Sequence, residues 1–366
     1  MKIYIGDNLG CGLNYQYNYI TSKLSEKFEI INDPSIADVI LFLGTCSATE
    51  THIFNMMLSM DDVISKKKKE AKVYITGCIT RKFKNNPTLN KVRKWLEINT
   101  DAIIPQNNPD QLLQLISKDD FTNSEEEVSK ILTFPLKHVA SLYIGNGCLN
   151  HCSFCKTTFQ KYPLKSVSIE VVKKAIDSLE EYDISSLYFK ATNISQYGYD
   201  LNQTYMLPQV VEYLEKKDTI ENAYFVGFCF ADAIKQDFAP MLRDSTKVTG
   251  ISGSIESGSP RILQLTRKCY TPEKLIQMVD IIREKHWIDL YLNIISGFPT
   301  ETQEDVLETL NLLERLNPKQ VVVSPYVNSS FVDSNKFEQL SPEIIEEHTK
   351  IYEKTLKSRN IEVIMN

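Results

Sequence analysis

The stretch that decides the fold is residues 138–155, "HVASLYIGNGCLNHCSFC". Its apolar, β-branched and aromatic run from Val139 to Ile144 reads as a buried strand. Gly145-Asn146-Gly147 ends that run as a turn, and Cys148, Cys152 and Cys155 follow within eight residues. Cysteines at i, i+4 and i+7 would also fit one face of a buried helix, but the Gly-Asn-Gly opening speaks against a helix interior. The loop leaves the C-terminal end of a strand, the face on which α/β barrels build their sites. Short loops of thiolates commonly hold iron–sulfur clusters. Three protein ligands would leave one iron open to a substrate or cofactor. Structural zinc is the rival reading, although it normally takes four protein ligands in paired spacing.

Downstream, the same apolar pattern recurs in "SSLYFKA", "AYFVGFCF", "VTGISGSI", "DLYLNIISG" and "QVVVSPY", with helical stretches between. Ser168 opens one helix. Ser259-Pro260, Thr271-Pro272 and Ser341-Pro342 each place a capping hydroxyl before a proline at the first helical position. Six such βα units predict a partial or full (β/α) barrel. Upstream, "KIYIG", "DVILFLG", "KVYITG" and "AIIP" alternate with helical stretches, which predicts a parallel sheet covered on both faces. The polar, acidic "SKDDFTNSEEEVS" after them reads as a linker. The expected architecture is α/β: an N-terminal doubly wound parallel-sheet domain over residues 1–120 and a linker over 121–134. A (β/α) barrel domain with a C-terminal helical extension follows over 135–366.

The chain has 366 residues, 42% hydrophobic and 24% charged, an ordinary soluble composition. No window approaches the roughly 18 unbroken apolar residues of a membrane helix. The run in "MKIYIGDNLG" is too short for a signal peptide. These features predict a cytoplasmic protein with no membrane partner, where thiols stay reduced and clustered cysteines suggest metal. The net charge of −6 weighs against a nucleic-acid partner. The basic run Lys66–Lys69 reads as a solvated helix end.

Three more cysteines share a position. Cys11 in "NLGCGLN", Cys46 in "LGTCSAT" and Cys78 in "ITGCITR" each lie a few residues past a predicted strand, with glycine nearby. The carboxyl ends of strands in a doubly wound sheet converge on one crevice, so the three are predicted to meet there. The plainer alternative is three unrelated buried cysteines. Cys229 and Cys269 have no partner spacing and read as structural.

CxxxCxxC with the aromatic Phe154 before its last cysteine resembles the signature of radical S-adenosylmethionine (SAM) enzymes. With "NLGCGLN", "ADVILFLGTCSATE" and "VYITGC" upstream, and "ESGSPRILQLTRKCYT" and "IISGFPTETQEDVLETL" downstream, the chain resembles the methylthiotransferases of that superfamily from residue 1 to about 325. The resemblance implies that Cys148, Cys152 and Cys155 hold a [4Fe–4S] cluster whose open iron binds SAM. It implies an auxiliary [4Fe–4S] cluster on Cys11, Cys46 and Cys78 that carries the sulfur to be delivered. One SAM methylates that sulfur, a second yields the radical that takes hydrogen from the substrate, and both clusters face one water-poor cavity.

Phe154 is then expected at the adenine, with Asn193, Ser254 and Glu256 as SAM contacts, although the family often has glutamine where Glu256 stands. Tyr197 and Gly198 match a family loop. Gly297-Phe298-Pro299 lines the SAM pocket or is only a turn, with Thr300 and Gln303 as a capping box. An electron donor such as flavodoxin or ferredoxin is implied as a partner.

The family's targets are a modified adenosine in tRNA and an aspartate in a ribosomal protein, usually reached with a small C-terminal β-barrel. After "VVVSPY" this sequence reads as a long helix and one strand, with no room for that barrel. With the negative charge, this favours a peptide or protein substrate, such as a ribosomally made precursor peptide, over tRNA. A non-catalytic iron–sulfur or electron-transfer protein is the alternative of another class.

Overall fold

The alternation of apolar runs and helical stretches resolves into two separate parallel sheets. The computed structural model describes the chain except residues 7–19, 22, 46–49, 81–86, 106–108, 118–127, 129, 156–162, 330–331 and 366. It divides into two compact units, Met1–Lys130 and Ile131–Asn366.

The first unit holds β1 (Lys2–Ile5), β2 (Glu29–Ile31), β3 (Val39–Thr45), β4 (Lys72–Gly77) and β5 (Ala102–Pro105). They pair in parallel in the order β2-β1-β3-β4-β5. This is a doubly wound order, whose switch point lies between β1 and β3. Ile3, Leu41 and Leu43 of the sheet pack with Ile20, Leu24, Leu112 and Leu113 of flanking helices. Strand β2 was not expected from the sequence: three residues at a sheet edge carry little apolar signal. The run Lys66–Lys69 is largely engaged, Lys66 with Asp62 and Lys68 with Asp38 at 2.5 Å, while Lys67 donates to the Ala71 carbonyl.

The second unit holds β6 (Leu132–Leu136), β7 (Val139–Asn146), β8 (Lys165–Ser166), β9 (Ser186–Ala191), β10 (Asn222–Phe228), β11 (Val248–Glu256), β12 (Asp289–Ser296), β13 (Gln320–Pro325) and β14 (Glu362–Met365). The order is β14-β13-β12-β11-β10-β9-β7-β6. Strands β7 and β9–β14 run parallel, and among the described residues β14 does not pair with β6. The barrel is therefore partial. The six runs expected from the sequence are β7 and β9–β13. Two antiparallel additions were not expected: β6, which begins inside the expected 121–134 linker and runs two residues beyond it, and β8, which pairs with the end of β7.

Helix starts follow the hydroxyl rule with two corrections. Ser168, Thr271 and Ser341 accept from the backbone N–H three residues on. Ser259 makes no such cap and instead donates to Asp305 at 2.6 Å. The helix Gln303–Leu316 is capped by Thr302 with Asp305, not by Thr300 with Gln303. Thr300 has φ +68° and receives the Arg261 guanidinium, so the helix cannot begin there. The long helix and strand expected at the C-terminus are Pro342–Ser358 and β14. No described helix is long and apolar enough to cross a membrane.

Candidate metal and cofactor site

The three-cysteine loop is pinned at both ends. At its root, Gly145 and Asn146 of β7 pair with Ser166 and Lys165 of β8. Gly147 has φ +82° and packs against the Pro163 backbone, so a side chain there would collide with main chain. Further on, the Cys155 N–H donates to the Cys152 carbonyl at 3.1 Å, a tight turn. Buried Ser153 ties that turn down. Its hydroxyl donates to the Leu265 carbonyl at 2.7 Å, its N–H to the Thr266 carbonyl, and its own carbonyl accepts from the Ser334 N–H.

Beside Cys148 lies a network drawn from two other elements, the turn after β9 and the helix after β10. Asp232, in the helix Phe230–Lys235 after β10, accepts from the amides of Asn150 (2.8 Å), Asn193 (2.8 Å) and Gln196 (3.1 Å). The Asn193 amide also reaches the Cys148 sulfur at 3.3 Å, and the Asn150 N–H reaches it at 3.4 Å. Gln196 accepts from the Leu149 N–H at 2.8 Å. One carboxylate thus orients the amides that set the position of Cys148. Asn193 is 3% exposed, and its buried Oδ1 has no hydrogen-bond partner among the described residues. A buried acceptor without a partner calls for a donor.

Cys229, read from the sequence as structural, borders this network. It sits at the end of β10, and its sulfur accepts from the Asn150 amide at 3.4 Å. Burial pushes its thiol up to about 12. Burial likewise raises Cys148, and it raises Cys152 to about 11. Thiols so buried stay protonated until a metal displaces the proton. Cys269 is exposed.

A buried ion pair faces Cys152. Lys268 lies 3.1 Å from Glu256, both side chains under a tenth exposed. Burial would pull the Lys268 ammonium down, but the Glu256 carboxylate beside it holds it well above its ordinary value. Glu256 closes β11 with φ +65°.

The expected SAM contacts fall as follows. Phe154 is half-buried within the loop, Asn193 joins the Cys148 network, and Ser254 is half-buried on β11 as the register partner of Asn293. Glu256 is engaged by Lys268. Tyr197 and Gly198 tie their loop to the region of β8, the hydroxyl donating to the Val167 carbonyl and the N–H to the Ser166 hydroxyl. At the Gly297-Phe298-Pro299 turn, Glu301 accepts from the Gly297 N–H at 2.7 Å and from His348 at 2.8 Å. Sequence reading missed Asn150, Ser153, Gln196, Asp232 and Lys268. The first two lie inside the cysteine motif and were in plain view.

In the first unit, Cys11 and Cys46 lie outside the described residues. Cys78 begins the 3-10 turn Cys78–Thr80 directly after β4. Thr45 and Gly77, the last residues of β3 and β4, are register partners. Gly77, at φ +129°, presses on the Thr45 backbone where a side chain has no room. The Thr45 hydroxyl donates to the Thr76 carbonyl and the Thr80 hydroxyl to the Gly77 carbonyl, which fixes the turn.

Among the described residues, no three His, Cys, Asp or Glu side chains close around a single ion position.

The sequence matches the Radical SAM superfamily over residues 142–313 and Uncharacterized protein family UPF0004 over residues 2–96. It is 25% identical over 357 residues to threonylcarbamoyladenosine tRNA methylthiotransferase MtaB of Aquifex aeolicus, covering 93% of this chain and 84% of that protein. It is 27% identical to ribosomal protein uS12 methylthiotransferase RimO of a Sulfurihydrogenibium species, covering 84% and 70%. In fold it resembles the radical SAM methyltransferase TsrM of Kitasatospora setae, at TM-score 0.58 and 14% identity over 91% of this chain and 76% of that one. It also resembles the radical SAM enzyme OxsB, at TM-score 0.57 and 14% identity over 100% and 62%.

Proposed function

The chain belongs to the radical SAM methylthiotransferase family, and on that premise we propose that it replaces a C–H bond of a peptide or protein by C–SCH3. It is a transferase, and its cofactors are [4Fe–4S] clusters and SAM. Cys148, Cys152 and Cys155 would hold the cluster that binds SAM, and Cys11, Cys46 and Cys78 the auxiliary one. When bound, these groups supply the reductive cleavage of SAM and the sulfur to be delivered.

The chain's own residues do the rest. Asp232 holds the side-chain amides of Asn193 and Asn150, and the Asn193 amide and the Asn150 backbone N–H donate to the Cys148 sulfur, which favours its thiolate. The unpartnered Asn193 Oδ1 is placed to accept from an amine or hydroxyl of SAM. Lys268, kept charged by Glu256, offsets negative charge gathering near Cys152. Half-buried Phe154 offers a ring for the adenine to lie against. In the first unit, the end of β3 and the turn at Cys78 sit beside the β1/β3 switch point, where doubly wound sheets bind ligands.

The observation that carries the reading is the pinned three-cysteine loop at the C-terminal end of β7, beside a buried amide with an unused acceptor. A polypeptide substrate is favoured by the net charge of −6 and by the ion-paired state of Lys66 and Lys68. The names of the relatives divide between tRNA and a ribosomal protein, so tRNA is the second reading. We place the protein in the cytoplasm, with a flavodoxin or ferredoxin as electron donor.

The test compares cells with and without the gene by mass spectrometry of digested small proteins and of tRNA nucleosides. A methylthio gain confined to a peptide supports the proposal. A gain confined to tRNA nucleosides transfers it to the second reading, and such a substrate should bind more weakly as salt is added. Failure of the reconstituted protein to cleave SAM under strong reductant would point to the non-catalytic alternative.

A further inference from the structure

Alternate residues of the second unit's parallel strands divide between two faces. On β9, Leu187, Phe189 and Ala191 are buried, while Tyr188 and Lys190 are half-buried. Their register partners share their face: Tyr224 and Val226 on β10, Ser141 and Tyr143 on β7. Gly250 of β11, partner of Tyr224, leaves the room that the Tyr224 and Tyr291 rings fill. The Tyr188 and Tyr224 rings stack at 4.5 Å. Tyr291 has Lys319 5.7 Å from its ring centroid, and Lys319 is paired with Asp289 at 2.6 Å.

Lys190 has no such acid. Its Nζ lies 5.6 Å from the Tyr143 ring centroid and 5.8 Å from that of Tyr188. Among the described residues it has no hydrogen bond or ion pair, while Glu256 and Asp289 are held by Lys268 and Lys319. Burial lowers its ammonium, and no charged partner opposes the shift. Two ring contacts offset only part of the cost of desolvating a cation. The position points toward the reaction: Lys190 is the penultimate residue of β9, three before Asn193 of the Cys148 network.

We propose that Lys190 is a specificity-determining residue that anchors a carboxylate of the substrate on the tyrosine-lined face of the barrel. The proposal rests on the methylthiotransferase reading for its substrate. A lone ammonium flanked by phenols suits a single carboxylate better than a phosphodiester chain, which calls for several cations or arginine forks.

The test uses the full chain, anaerobically reconstituted, with Lys190→Met and Lys190→Arg variants. The probes are N-acetyl-aspartate N-methylamide, its asparagine counterpart, dimethyl phosphate and SAM, with binding followed by calorimetry and ligand-observed NMR. The aspartyl probe should bind K190M at least tenfold more weakly than wild type, K190R should restore most of the affinity, and the asparagine probe should not distinguish the proteins. K190M without ligand should melt at the wild-type temperature or above, because an uncompensated charge has been removed. Equal aspartyl binding to wild type and K190M overturns the proposal, as does a melting point several degrees lower, which marks a structural lysine. A tenfold loss of SAM affinity would reassign Lys190 to the cofactor, and discrimination of dimethyl phosphate alone would reassign it to a nucleic acid. These readouts stand apart from turnover, so a chain that transferred no methylthio group would leave them interpretable.

Discussion

The second unit carries three cysteines on eight residues of one loop, whereas the first separates Cys11 from Cys46 by 35 residues and Cys46 from Cys78 by 32. The loop's geometry is local: a β7/β8 ladder at its root, a turn from Cys152 to Cys155, and Ser153 as its rivet. Any meeting of the dispersed trio would depend on strand order, which sets β1 beside β3 and β3 beside β4. Damage to a local site should be confined to it, while the dispersed site should respond to changes in its sheet.

The sharpest division between the two should come from cysteine removal. Changing Cys148, Cys152 and Cys155 to alanine should abolish 5′-deoxyadenosine formation, by about a thousandfold or more, since no cluster remains to deliver the electron. Changing Cys11, Cys46 and Cys78 should leave that cleavage and stop methylthio transfer. Chromatography of nucleosides beside mass spectrometry of product separates the outcomes, and loss of cleavage in both variants would deny the division of labour.

Next in size is Asp232→Ala, which strips the shared acceptor from three amides. Each buried donor left unpaired costs ~1–3 kcal/mol. SAM affinity, measured by equilibrium binding, should fall ten- to a hundredfold, while the first unit's iron stays in place. Asp232→Asn keeps one acceptor oxygen and should lose less.

Gly77→Ala probes the dispersed trio without touching a cysteine. At φ +129° against the Thr45 backbone, an added methyl should cost about 1–3 kcal/mol and loosen the turn at Cys78. Iron bound by the first unit should become easier to strip with a chelator, at an unchanged rate of SAM cleavage.

The smallest effect is expected at Glu301 and His348, both about 3% exposed. Donating a hydrogen bond to the Glu301 carboxylate raises His348 above its ordinary 6.5, and burial raises Glu301. A raised histidine contributes stability that is complete below 6.5 and lost as pH climbs through the folded value. The melting temperature should therefore drop by roughly 2–4 °C across that alkaline step, and His348→Gln should flatten the profile.

The same contrast explains what could be read in the sequence. A strand buried on both faces, β3 "VILFLGT", announces itself as an unbroken apolar run, and one with a single fully buried face, β12 "DLYLNIIS", as an alternating one. Edge strands do not: β2 has three residues, β8 has two, and β6 carries Pro135 with three of its five residues exposed. Cys148, Cys152 and Cys155 were legible because their spacing is itself the signal. Asp232 was not, because it meets Gln196 across 36 residues and Asn150 across 82, and no local pattern marks such a partner. Thr300 misled as a cap because its backbone is left-handed and its oxygens accept from Arg261, 39 residues away, neither of which the local pattern marks.

The central claim is that this chain carries two clusters on two cysteine trios, one per unit. Anaerobic counting of iron and sulfide on the reconstituted wild type and on the Cys11, Cys46 and Cys78 to alanine variant tests it most directly. The account predicts that both contents fall by about half while SAM cleavage persists. Equal contents in the two proteins would contradict it, because the first unit would then hold no cluster from which sulfur could be delivered.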